Sequence, residues 1–117
     1  MTKNIIYDKS YSFALRIVKL SNYLKNEHKE FVLSRQVLRS GTAIGALIKE
    51  AQFAQSKADF IHKLSIALKE ANETDYWINI LYDSNYLNKK MYDSLTVDIK
   101  EIISLLVSIV KSSKNNS

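Results

Sequence analysis

The chain has 117 residues, enough for one domain and hardly for two. With no Pro, no Cys and two Gly, it lacks the turn residues of a many-stranded fold and the thiols of a disulfide framework, a thiolate metal site or cysteine catalysis. The net charge of +5 places it among basic proteins, although charge of this size is a weak sign of nucleic-acid binding taken alone.

A 3.6-residue hydrophobic period marks four helices. The first is predicted over residues 8–26. Phe13, Ile17, Leu20 and Leu24 form its inner stripe, and Tyr11, Ala14, Leu15 and Val18 widen it. Asp8 reads as its N-cap. The second is predicted over residues 34–54 with Ser34 as N-cap and Val37, Gly41, Ile44, Ile48 and Ala51 facing inward. Its opposite face carries Arg35, Arg39, Thr42, Ala46, Lys49 and Phe53, a mixture of cations, small residues and one aromatic ring. The third is predicted over residues 57–83, about 40 Å long, opened by Ser56 with Asp59 three residues on, which resembles a capping box. Phe60, Leu64, Ala67, Ala71, Thr74, Ile78 and Leu81 form its core face, and Lys69 and Glu73 make an outward i,i+4 pair.

The fourth helix is predicted over residues 89–111, followed by a fraying tail from Ser112 to Ser117. Met91, Leu95, Ile99, Ile102, Leu106 and Ile109 form its main stripe. Ile103, Leu105, Val107 and Val110 lie outside that stripe. A helix apolar most of the way round is buried on more than one side. In a chain this short the second cover has to be another copy, so these four residues are the expected interface of a homo-oligomer. Short joints make successive helices antiparallel neighbours. The expected architecture is a single all-α domain over residues 1–117, an up-down-up-down four-helix bundle. No signal-peptide core and no membrane-length apolar run is visible, which predicts a cytoplasmic protein with no membrane partner.

Little in the chain suggests catalysis. His28 and His62 are the only histidines, one in a polar joint and one opposite a core face. The Glu-x-x-His motifs of di-metal bundles are missing, and no Gly-rich loop follows a strand. The expectation is no enzyme, no catalytic residue, no metal and no cofactor. Gly41-x-x-x-Gly45 has the small-residue spacing of closely approaching helices and reads as packing.

Charge is spread unevenly. Residues 31–69 hold six basic and two acidic groups, and residues 70–101 hold three basic and seven acidic groups. Arg35, Arg39 and Lys49 share one outer stripe, with Lys57 and Lys63 following across the next joint. Guanidinium groups grip phosphates bidentately and lysines add point charges. These five residues are the candidate contacts to RNA or DNA. The alternative is a scaffold in which the arginines pair with Glu50, Glu70 or Glu73 of an adjacent chain. Tyr76, Tyr82, Tyr86 and Tyr92 read as core or interface edges rather than stacking platforms.

The stretch from Ser34 to Leu87 resembles the bacterial four-helix-bundle proteins encoded in intervening sequences of 23S rRNA genes. The resemblance rests on Arg39-Ser40-Gly41-Thr42, the segment Gly45 to Ala51, Ser56 to Phe60, Ala67 to Ala71, Glu73-Thr74 and Tyr76-Trp77. The accessory variability protein of diversity-generating retroelements is similar in fold. The resemblance implies a homopentameric barrel, binding of nucleic acid through a basic surface, and a protein partner such as a reverse transcriptase. Leu47, Lys49 and Phe53 depart from the pattern of many relatives. For the intervening-sequence branch the resemblance implies no particular activity.

Overall fold

The computed structural model describes residues 4–115. Helix α1 spans Ile5–His28. It begins before Asp8 because Asn4, in an extended conformation, caps it: the Asn4 side-chain oxygen accepts the Tyr7 N–H at 3.1 Å. Asp8 falls in the first turn, where its charge suits the positive end of the helix dipole. At the other end Lys29 adopts a left-handed conformation with φ 54°. The Glu30 N–H then returns to the Leu24 carbonyl at 3.0 Å, closing the helix two residues beyond Asn26.

Helix α2 spans Leu33–Ala51. Ser34 is its buried second residue rather than its N-cap. The Ser34 N–H donates to Glu30 Oε1 at 3.0 Å, so a carboxylate before the helix does the capping. The helix stops at Ala51, three residues short of Ala54, which leaves Phe53 in the joint.

Helix α3 spans Lys57–Asp83. Ser56 Oγ accepts the Asp59 N–H at 3.0 Å. The short Asp59 side chain takes the Gln55 N–H at 3.1 Å and not the Ser56 N–H that a capping box would use. Helix α4 spans Lys89–Asn115, longer than predicted. Asn88 Oδ1 accepts the Met91 N–H at its start, and Ser112 to Asn115 are helical rather than frayed. Asn116 and Ser117 of the expected tail lie outside the described residues.

The protein is an all-α four-helix bundle, with each helix packed on its neighbours in the chain and α1 also meeting α4. Phe13, Ile17 and Leu24 meet Val37, Ile44 and Ile48, then Ala71, Ile78 and Leu81, then Ile99, Ile102 and Leu106. A hydroxyl network lies within this apolar interior. Thr74 Oγ1 stands 2.9 Å from Ser40 Oγ, joining α3 to α2, and 2.8 Å from the Glu70 carbonyl. Ser40 in turn donates to the Gln36 carbonyl. These hydroxyls satisfy one another and local carbonyls, as buried polar groups must.

The bundle closes unevenly. Helices α1 and α4 touch much less than the other adjacent pairs. Their seam is bridged by polar contacts at the surface. Arg16 binds Asp98 and the Ser94 hydroxyl, and Lys9 pairs with Glu101. Shallow clefts run along this seam, one of them lined by Leu20, Tyr23, Met91 and Leu95.

Candidate interaction surface

The five basic candidates lie on or next to the outer side of α2, but carboxylates of the same chain take up two of them. Arg39, half exposed, binds Glu73 and also reaches Glu70 Oε1 at 3.2 Å. Both acids stand on α3, so Arg39 closes the outer α2–α3 seam. Glu73 additionally accepts the Trp77 indole N–H at 3.1 Å. That hydrogen bond, followed by the Arg39 contact, holds the Glu73 carboxyl below its ordinary range against the opposing effect of burial. Glu73 therefore faces Arg39 and Trp77, and Lys69 acts on it only through space. Lys63 donates to Glu50 Oε1 at 3.0 Å, and this bond raises its pKa.

The other three cations differ. Arg35 and Lys57 are exposed and have no carboxylate partner among the described residues. The Lys49 ammonium stands over two aromatic rings, 5.4 Å from the centre of Tyr7 and 6.0 Å from the centre of Phe53. Cations bind the negative face of such rings.

The four apolar candidates on α4 do not form one face. Val110 belongs to the bundle core and is only 8% exposed. Ile103 and Leu105 are half-buried against that core, and Val107 is 46% exposed. At 100° per residue, Ile103 and Val107 fall on the flank that carries Tyr92 and Lys100, which contact Asn79 and Asp75 of α3. Leu105 falls on the flank of Asp98, which binds Arg16 of α1. Contacts within the chain therefore account for much of the excess apolar surface of α4.

An exposed apolar ridge lies on α1. Tyr11, Leu15 and Val18 are 54%, 52% and 41% exposed. Their spacing of four and three makes a single ridge. They do not widen the buried stripe as their sequence pattern suggests. At 100° per residue they lie more than a quarter-turn from the stripe of Phe13, Ile17, Leu20 and Leu24, with Leu15 almost opposite it. Phe53, at 76%, is exposed past the end of α2.

The remaining aromatic residues have mixed roles. Tyr82 and Tyr92 stack across α3 and α4 with centroids 4.2 Å apart. Tyr86 packs its edge on His28, which also contacts Tyr23, while Tyr76 is exposed beside Trp77. His62 is on the surface. Among the described residues no group of three or more His, Asp or Glu is arranged to hold a metal ion. No described helix is long and apolar enough to cross a membrane.

Residues 2–108 match the model of the 23S rRNA-intervening sequence protein family, and the chain belongs to that family. It is also similar to a crystal structure from Bacteroides thetaiotaomicron, described as a protein with unknown function from the S23 ribosomal protein family. The two share 57% sequence identity with a TM-score of 0.90, over 91% of this chain and 98% of the other. No curated protein matches the chain.

Proposed function

We propose that this protein is a non-catalytic helical adaptor that works by self-association, with the α1 ridge of Tyr11, Leu15 and Val18 as its contact face. The observation that carries this reading is the ridge itself: three large apolar side chains in helical register, each more than two-fifths exposed. Scattered exposed apolar residues are normal, but a contiguous patch marks an interaction site. A second copy is the simplest partner, since closed symmetric assemblies are the commonest oligomers. A homopentameric barrel, the assembly implied by the family resemblance, is the specific form proposed.

Light scattering on the purified protein tests this reading. The expected mass is a multiple of the 13.5 kDa chain, five-fold for the barrel. Leu15→Asp with Val18→Asp places two like charges in the contact and should lower the mass toward one chain. A wild-type protein monomeric at every concentration, or a doubly charged variant that keeps the full mass, would refute it.

A second reading, weakly sequence-specific binding of RNA or DNA, is favoured by Arg35, Lys49 and Lys57, cations without a carboxylate partner among the described residues. Arg39 and Lys63 would add less, because their acids must be displaced before they can grip a phosphate. Binding of this kind weakens steeply with salt.

A further inference from the structure

Where α2 ends against the start of α1, a cation and aromatic rings come together at the surface. Phe53 is more exposed than any other large apolar side chain among the described residues. Its ring and that of Tyr7 flank the Lys49 ammonium at 6.0 and 5.4 Å. Lys49 is also uncompensated. The neighbouring Glu50 is occupied by Lys63, and no other carboxylate pairs with Lys49 among the described residues.

We infer that Lys49, Phe53 and Tyr7 form a stacking site for unpaired bases of a single-stranded nucleic acid. The inference rests on the nucleic-acid reading and uses none of the three ridge residues proposed for self-association. An exposed ring offers a flat apolar face to a base, and a positive group beside it serves the adjoining phosphate. An apolar helix laid on this patch would bury the Lys49 ammonium with no counter-charge, which is costly. A polyanion supplies that charge. A duplex supplies phosphates but keeps its base faces stacked on one another, so the rings select the single strand.

Fluorescence anisotropy at low salt tests the site with three labelled probes: a mixed-sequence single strand, an abasic strand of the same length, and the corresponding duplex. The abasic strand retains the charge and lacks the rings. Wild-type protein should bind the intact strand at least about fivefold more tightly than either other probe, the lower end of what one stacked base contributes. Phe53→Leu keeps an apolar side chain in an exposed position and should erase most of that preference. Lys49→Gln should weaken both single strands together. Equal affinity of the wild type for intact and abasic strands, a preference for duplex, or no binding to any probe would each overturn the proposal. Light scattering on the same variants separates the two readings. If Phe53→Leu lowers the oligomer mass and leaves strand binding unchanged, the ring serves a protein contact and the stacking site is refuted.

Discussion

The close approach of α1 and α2 allows one substitution to be worked through from geometry. Gly41 faces Ile17, and a Cβ at position 41 would stand 2.9 Å from both Ile17 Cγ1 and Cγ2 and 3.3 Å from its Cβ. Carbon atoms in ordinary contact sit about 3.5–4.0 Å apart. Ile17 is fully buried and β-branched, so its χ1 has one strongly preferred well in a helix and it cannot swing aside. The helices must separate instead. Overpacking of this kind costs about 1–3 kcal/mol, whereas Ala gains about 1 kcal/mol over Gly in helix propensity. Gly41→Ala should therefore lose about 1 kcal/mol net. Ile17→Ala alone should cost about 2–5 kcal/mol. The two together should cost less than their sum by about 1 kcal/mol or more, because the new methyl enters the vacated space. Urea denaturation at one protein concentration, followed by far-UV circular dichroism, reads each value from a shifted midpoint at constant slope. Full stabilisation by Gly41→Ala, as propensity alone would give, or strict additivity in the double variant would refute the close approach.

Three further outcomes are expected. Thr74→Val removes a buried hydroxyl that meets Ser40 and the Glu70 carbonyl, and should lower stability by about 1 kcal/mol in the same denaturation assay. The lowered pKa of Glu73 makes its contribution to stability complete above the unfolded-state value, about 4.3, and lost as pH falls through the lower folded value. Trp77 is the single tryptophan and donates to Glu73, so its fluorescence should titrate in that acid window, and Glu73→Gln should abolish the transition. Arg16→Met breaks a partly exposed bridge across the α1–α4 seam and should cost less than about 1 kcal/mol; a larger loss would mean that the seam depends on this bridge.

The pairing of Arg39 bears on how the surface can act. Its guanidinium lies against two carboxylates and is half exposed, so it fastens α2 to α3 and at the same time cancels charge that a polyanion would need. The positive charge left unpaired in that segment comes from Arg35, Lys49, Lys57 and Lys69, which stand in different settings: one on the α2 face, one between rings, one at the start of α3 and one on α3 acting on Glu73 only through space. This arrangement explains why the segment charge of residues 31–69 overstates the basic surface. The acids that offset it come from residues 70–73, outside that segment.

The sequence by itself determined the class of fold. The spacing of Phe13, Ile17, Leu20 and Leu24, and of Leu95, Ile99, Ile102 and Leu106, leaves little choice but helices with one buried stripe, and all eight side chains are buried. Ser56 and Asn88 act locally, so their capping depends on few distant contacts. Tertiary structure decided the rest. Period alone cannot say which shoulder of a stripe meets a neighbour. Tyr11, Leu15 and Val18 are large and apolar yet exposed, on a side of α1 away from Ile17 and Ser10, against which Gly41 and Gly45 of α2 pack. Ile103 and Leu105 look superfluous on α4, yet α3 and α1 flank that helix on either side. The partners of Arg39 and Lys63 are 31 and 13 residues away in the chain, and the rings around Lys49 come from two separate elements. Helical periodicity is a property of neighbours along the chain, whereas exposure and charge compensation depend on neighbours in space, which only the packing of the four helices specifies.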